Sequence, residues 1–418
     1  MTCSLARCVF IFAGSTALLS TVFAASSNDI VVTVAGTGNA GYTGDGGNAA
    51  LAELSVPQGI VLDGAGNLYI SDKANNAIRK VTPDQTISSF VASGLVSAPI
   101  GLAVNGDGNL YVAESGQNQI LAIALSDGTP TVFSRGGGTC GGFKQPTGVA
   151  FDQNGTLYVV DSGNHAIRAV SGSQVTTVYG SCDVAGDNLA GIAANSAGTV
   201  YFADRTTNRI ISINAGVPTV RATIPGSTGG WLGLAFDQGG DLFVAASTQH
   251  VVYAFDTSLN LTTIAGNGTS GYSGDRGSAT SAEFVSPFAL AVNTDGRLFI
   301  ADPASNVVRE IGPSDLVTVS VHSTNGLTDV VQSADHGLIC DAPNTCQQVY
   351  IAGSEVVLNT NAVSGNVFYE WTGGGCSGNG SCTAITVADD SQVNVAAYFS
   401  TRDSDGEADG IFTDDFED

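Results

Sequence analysis

Pro57-Gln-Gly-Ile-Val-Leu-Asp63-Gly-Ala-Gly66-Asn-Leu-Tyr-Ile-Ser-Asp72 reads as a short apolar strand, a tight turn and a second strand of alternating character. The phrase returns as Pro99-Ile-Gly-Leu-Ala-Val-Asn105-Gly-Asp-Gly108-Asn-Leu-Tyr-Val-Ala-Glu114, and again from Pro146, Leu189, Trp231 and Pro287, at spacings of 42 to 56 residues. Each copy carries Asp or Asn at the turn (Asp63, Asn105, Asp152, Asn195, Asp237, Asn293) and Gly three residues later (Gly66, Gly108, Gly155, Gly198, Gly240, Gly296). The Asx side chain accepts from the backbone ahead of it, and Gly supplies the positive φ that closes the hairpin.

A third strand follows each hairpin, as in Ala77-Ile-Arg-Lys-Val81 and Ala166-Ile-Arg-Ala-Val170, and then a fourth, as in Thr86–Val91 and Val175–Tyr179. Four strands recurring at this period are the blades of a β-propeller. The fold class is therefore all-β, a six-bladed β-propeller with a further β-domain behind it. The sixth repeat lacks its own fourth strand, while Asp29-Ile-Val-Val-Thr-Val-Ala-Gly36 precedes the first and matches Leu261-Thr-Thr-Ile-Ala-Gly266. The N-terminal strand is expected to complete the sixth blade, because closure removes exposed sheet edges. Two long connections agree with that placement. Ala35-Gly-x-Gly-x-x-Gly41-Tyr42-x-Gly44-Asp45 reappears as Ala265-Gly-x-Gly-x-x-Gly271-Tyr272-x-Gly274-Asp275, with Glu53/Pro57 and Glu283/Pro287 at matching offsets.

Residues 1–24 read as a signal peptide: Arg7, an apolar stretch from Val9 to Leu19, and Val22-Phe-Ala24 before the cut. No later apolar run is long enough to span a membrane. Export follows, with a secreted, periplasmic or cell-surface address of Gram-negative type. Loss of the peptide leaves six cysteines, an even number that suits an oxidising compartment. Cys340 and Cys346, and Cys376 and Cys382, are locally spaced, and Cys140 and Cys182 precede equivalent repeat starts; these three pairs are the expected disulfides. The net charge of −24 argues against a nucleic-acid partner.

Asp72-Lys-Ala-Asn-Asn-Ala-Ile-Arg-Lys-Val and Asp161-Ser-Gly-Asn-His-Ala-Ile-Arg-Ala-Val resemble the hallmark of the NHL family of six-bladed propellers, and the Gly-Tyr-x-Gly-Asp loops are similar to those of exported bacterial members. The resemblance covers roughly 29–313, with Ala246 departing from the acidic hallmark. From about Ser314, Val317-Thr-Val-Ser-Val, Phe368-Tyr-Glu-Trp-Thr-Gly-Gly-Gly-Cys376 and Val393–Phe399 resemble a small bacterial surface domain related to internalin B-repeats. The expected organisation is a signal peptide over 1–24, the propeller over 25–313, the disulfide-bearing β-domain over 314–400 and an acidic flexible tail over 401–418. The tail ends in Ile411-Phe-x-Asp-x-Phe-Glu417, similar to short terminal motifs of exported Gram-negative proteins.

The hallmark acids Asp72, Glu114, Asp161, Asp204 and Asp302 are the weak metal candidates, since equivalent positions in a closed ring encircle its axis; the competing reading has each one tie its local turn. His165 and His250 share one repeat position. Amidating lyases of the related superfamily hold zinc with propeller histidines, but Asn76, Asn118, Asn208 and Asn306 fill the other four places here, marking a polar turn position. No Gly-x-Ser-x-Gly elbow or Cys–His couple is present, and Gly44-Asp-Gly-Gly47 lacks the Lys-Ser/Thr of a phosphate loop. Asp403-x-Asp405-x-Glu407 imitates the start of a calcium loop, but Ala408 stands at the Gly position. Catalytic residues are not identified; no cofactor is expected, with calcium the one open possibility.

The expected function is a monomeric, exported, non-enzymatic platform that binds a protein or carbohydrate, with Tyr42, Asp45, Tyr272, Asp275 and Arg276 in contact with the partner. A structural reading of the same residues has Tyr42 and Tyr272 plugging their loops onto the ring. The alternative function is a metal-dependent lactonase or lyase of the six-bladed superfamily, which gluconolactonases resemble at the level of fold.

Overall fold

The computed structural model describes residues 29–401 apart from 183–187, 215, 227–228, 324–329, 334–337, 343, 352–354, 362–365, 374–381 and 386–392. The expected signal peptide, Cys376 and the tail beyond Thr401 lie outside the described residues.

The described chain is all-β, with helical turns of three residues only. Five antiparallel four-stranded sheets, the units typical of a propeller, succeed one another. Sheet one holds Pro57–Leu62, Leu68–Asp72, Ala77–Val81 and Ile87–Val91; sheet two holds Pro99–Asn105, Asn109–Glu114, Gln119–Ala124 and Pro130–Ser134. Sheet three runs through Pro146–Phe151, Leu157–Asp161, Ala166–Ser171 and Gln174–Gly180, and sheet four through Leu189–Ala194, Val200–Asp204, Arg209–Asn214 and Val217–Thr223. Sheet five comprises Leu232–Phe236, Leu242–Ala246, Val251–Phe255 and Leu261–Ala265. Sheet six has Ala289–Val292, Leu298–Asp302 and the first part of Val307–Ser323, and its outer place is taken by Asp29–Ala35. That N-terminal strand runs antiparallel, with Val31 opposite Ile311 and Val32 opposite Glu310, as the sequence predicts.

Apolar clusters lie between each sheet and the next. Sheets one and two share Tyr69, Ile78 and Leu110; sheets three and four share Ile167 and Phe202; sheets five and six share Phe243 and Leu298. Ile60, Ile70, Ala301 and Val308 join sheet six back to sheet one. The first strands approach closely at one repeated position, Gly59, Gly101, Gly148, Gly191 and Gly233, with Ala289 in sheet six. A Cβ on Gly59 would lie 1.9 Å from the Ile100 carbonyl oxygen, and one on Gly233 would lie 1.9 Å from that of Phe288. This is backbone packed on backbone, and it leaves a central cavity of about 70 Å³ lined mostly by Ile, Leu, Val and Gly.

Val307–Ser323 passes without a break into a second unit. Its partner changes between Pro313, opposite Asp29, and Ser314, opposite Ile351. Beyond that point it pairs with Thr345–Ile351 and, in parallel, with Val393–Thr401, which in turn pairs with Asn366–Gly373. Ile339–Asp341, Val330–Ser333, Glu355–Asn361 and Cys382–Ile385 make the other sheet. Val331, Leu358, Trp371, Val395 and Phe399 form the core between the two. Cys140–Cys182 and Cys340–Cys346 are bonded, and Cys382 is also in a disulfide.

Candidate functional site

The hallmark acids sit where the second strand ends in sheets one to four and six, with Ala246 in their place in sheet five, and they are buried. Asp72 accepts from Ser55 N (2.7 Å) and Asn75 Nδ2 (2.8 Å); Glu114 accepts from Ser97 N (2.7 Å) and Gln119 Nε2 (2.5 Å). Asp161 accepts from Lys144 N (2.7 Å) and Asn164 Nδ2 (2.8 Å), Asp204 from Thr206 N (2.9 Å), and Asp302 from Val285 N and Ser286 N (both 2.8 Å). In sheets one, two, three and six the acid therefore ties its own turn to the connection arriving from the preceding sheet; Asp204 binds its turn through Thr206 and Thr207. Burial raises the Asp72 carboxyl above its ordinary range, against the lowering effect of Asn75, Ser55 and Arg79; Asp302 is raised by burial in the same way. Among the described residues no three His, Cys, Asp or Glu side chains are grouped to hold a metal ion.

The position four residues on is left-handed in every sheet, with φ of 52° at Asn76, 54° at Asn118, 51° at His165, 57° at Asn208, 59° at His250 and 55° at Asn306. Asn and His tolerate that conformation better than bulkier residues. Their side chains also link sheets: Asn76 Oδ1 accepts from Ala98 N (2.8 Å), Asn118 Oδ1 from Gln145 N (2.7 Å) and Asn306 Oδ1 from Val56 N (3.0 Å), while His250 Nδ1 lies 2.9 Å from the Val285 carbonyl.

At the opposite end of the sheets, Asp63 Oδ1 accepts from Ala65 N and Asn67 N (both 2.9 Å), and Asp152, Asn195 and Asn293 repeat the pattern. In the second repeat the bonds are shared: Asn105 Oδ1 accepts from Gly106 N (2.8 Å), while Asn105 and Asn109 stay paired in the ladder and Asp107 Oδ1 accepts from Asn109 N (3.0 Å).

The two Gly-rich connections fold alike, each around an arginine of the following sheet. Arg79, 1% exposed, donates from Nη2 to the Thr43 carbonyl (3.1 Å) and Asp45 Oδ1 (2.5 Å), and from Nη1 to the Glu53 carbonyl (3.2 Å). Arg309, fully buried, donates from Nη2 to the Ser273 carbonyl (2.9 Å), from Nη1 to the Glu283 carbonyl (2.8 Å) and from Nε to Asp275 Oδ1 (3.1 Å). Tyr42 lies with its ring centroid 4.9 Å from the Arg79 guanidinium and its hydroxyl 2.6 Å from Ser89 Oγ. Tyr272 stands likewise over Arg309 (5.4 Å), its hydroxyl 2.9 Å from Thr33 Oγ1. Neither tyrosine is buried: Tyr42 is 37% exposed and Tyr272 41%. Asp45 is pushed up by burial but pulled down more strongly by Ser89 and Arg79, so its carboxyl stays below the ordinary range.

The sequence reading missed these arginines. The signal was present: Arg occupies the middle of the third strand at 79, 168 and 309, in the sheets that follow Gly-rich connections, against Leu121, Ile211 and Tyr253 elsewhere. Arg168 is held by Asp161 Oδ2 (3.0 Å) and by the Gly137 carbonyl. The same two loops also border the outer strands. Gly46 N donates to the Ile87 carbonyl (2.8 Å) and Ile87 N to that of Gly47 (2.9 Å); Arg276 N donates to Val31 O (2.7 Å) and Val31 N to Gly277 O (3.2 Å). Arg276 itself turns to the second unit, its guanidinium 4.6 Å from the Tyr350 ring and Nη1 3.3 Å from the Val349 carbonyl.

Four-stranded sheets joined by these buried turn acids define a propeller-type protein. The model of the virginiamycin B lyase family matches residues 21–254, and the chain belongs to that family. Among solved structures the chain is similar to a structural-genomics protein of unknown function from Bacteroides thetaiotaomicron VPI-5482, with 17% identity over 68% of this chain and 75% of that one and a TM-score of 0.56. It is also similar to auxiliary nutrient binding proteins from Bacteroides ovatus ATCC 8483 (17% identity, 69% and 77% covered, TM-score 0.55) and from B. thetaiotaomicron VPI-5482 (15% identity, 68% and 76% covered, TM-score 0.54). At these identities the likeness shows the fold alone. No curated protein matches the chain.

Proposed function

We propose that the chain is an exported six-bladed propeller of NHL-like repeats that acts as a non-enzymatic binding platform for a protein or glycan. The observation that carries this reading is the division of labour among its polar groups. The hallmark carboxylates are committed to backbone donors inside the turns, whereas Tyr42, Asp45, Tyr272 and Asp275 keep exposed edges on two neighbouring loops. Aromatic and carboxylate edges on a stiff backbone recognise partners at low ordering cost. Arg276 belongs to this surface through its backbone but directs its side chain to the second unit. That unit, read as a domain resembling internalin B-repeats over 314–400, extends the platform. The disulfides support a periplasmic or extracellular address.

The test is glycan-array and pull-down binding of the full chain and of Tyr42→Ala and Tyr272→Ala, with circular dichroism to confirm folding. Folded variants that bind as the wild type does move the contact elsewhere. Membership of a lyase family favours a second reading, a metal-dependent lyase or lactonase. Metal analysis together with turnover of a lactone, abolished by EDTA, would establish that reading and displace the platform.

A further inference from the structure

Sheet six carries an ion pair that the other sheets do not repeat. Glu310 follows Arg309 on the third strand, where the other five sheets have Lys, Ala or Ser, and Arg297 stands where they have Asn, Thr or Asp. Arg297 Nη1 donates to Glu310 Oε1 at 3.2 Å. Glu310 is 6% exposed, and burial pushes its carboxyl above the ordinary range, against the lowering effect of Arg297. Among the described residues nothing donates to its second oxygen. A buried carboxylate oxygen without a donor is costly. Glu310 lines a cavity of about 100 Å³ at the seam between the ring and the second unit, room for several waters or a ligand of similar size. Val34, Asn48, Gln85 and Arg276 supply its walls from the ring, and Val356 from the second unit. The Pro83–Asp84 turn at its rim is exposed.

The chemistry of these walls selects a class of ligand. Arg297 already neutralises Glu310 and Arg276 adds a positive charge, so an ammonium gains little there. Asp84 at the rim and Glu310 inside disfavour an anion. The remaining Glu310 oxygen therefore calls for a neutral donor, which a hydroxyl supplies. Asn48 Nδ2 lies 3.4 Å from Gln85 Oε1, and together the two amides form a wall that both donates and accepts. Val34 and Val356 offer apolar surface to C–H groups. We propose that the seam cavity binds a neutral, hydroxyl-rich small molecule, a single sugar or polyol unit. One hydroxyl donates to Glu310 Oε2, and others meet Asn48 and Gln85. Because the walls belong to both units, an occupied cavity would fasten the second unit to the ring.

Saturation-transfer NMR and calorimetry of the full chain test this with glucose, galactose, xylose and erythritol, against glucosamine and glucuronate as charged counterparts. At least one neutral compound is expected to bind saturably. Glu310→Gln, which takes the charge from the acceptor, should weaken that binding about tenfold or more. Because this variant also breaks the pair with Arg297, Ala50→Phe is the second. Ala50 is half-buried on the cavity wall, and a phenyl ring there fills the space while leaving the pair in place. It should abolish binding while the cooperative melting transition persists. Neutral-sugar binding that survives Ala50→Phe overturns the proposal by moving the site elsewhere, as does the absence of binding by every neutral compound. Tighter binding of glucosamine or glucuronate than of the neutral sugars overturns the ligand class. None of these outcomes bears on the Gly-rich loops, which Tyr42→Ala and Tyr272→Ala probe.

Discussion

Sheets one and six and sheet four are built from the same phrase, yet they finish their outer edges in opposite ways. In sheets one and six a buried arginine gathers a Gly-rich connection, and the loop returns along the outer strand, as with Gly46, Gly47 and Ile87. In sheet four Ile211 stands at the arginine position, the connection is different, and Val217–Thr223 is left exposed. The difference teaches that the arginine and the loop are one device. The guanidinium needs several carbonyl and carboxylate acceptors to be buried, and a Gly-rich loop needs a fixed centre around which to fold.

The largest expected effect comes from removing the strand on which the seam depends. Deleting residues 29–35 strips sheet six of its outer strand and takes away the partner of Arg276–Ser278. The expected outcome is loss of the cooperative melting transition in calorimetry and aggregation in light scattering. An unchanged transition would mean that closure lies elsewhere.

A smaller effect is expected inside the device. Arg309→Met leaves Asp275 and the Ser273 and Glu283 carbonyls without their donor, at a cost of about 3 kcal/mol by denaturant unfolding. Tyr253→Phe, at the equivalent position of sheet five, removes only the bond from Gln249 Nε2 and should cost under about 1 kcal/mol. Equal costs would erase the distinction between the two kinds of sheet.

The smallest effect is one of pH. Ser89 and Arg79 hold the Asp45 carboxyl below its ordinary range in the folded state, against the raising effect of burial, so its ionised form favours the native state. That contribution is present above the unfolded pKa and fades as pH falls through the folded one. The melting difference between wild type and Asp45→Asn should therefore be steady near neutrality and shrink below about pH 4. Because Asp45 is half-exposed, added salt should also reduce it. A difference that persists at low pH would show that shape, not charge, holds the loop.

Much of this architecture was legible in the chain. Period-two alternation with Asx and Gly at fixed offsets located the hairpins, and the match of Asp29–Gly36 to Leu261–Gly266 located the closing strand. Asn105 shows the limit of such reading: it accepts from Gly106 N, but one more ladder pair gives the bond from Asn109 N to Asp107, a choice set by hydrogen-bond register. The loop residues show another. Tyr42, Asp45, Tyr272 and Asp275 stood out as a motif, but the arginine that gathers each pair, Arg79 or Arg309, lies 34 residues beyond its aspartate, in another strand.

By itself the sequence determined the repeated strands and the places of their turns, because each follows from local backbone chemistry and short spacing. Tertiary structure alone decided which acids meet an arginine, that Asn76, Asn118 and Asn306 stitch one sheet to the next, and that Gly59 and Gly233 must lack a side chain. Those facts depend on where a neighbouring sheet places its carbonyls, and that position comes from packing around the ring rather than from any single repeat.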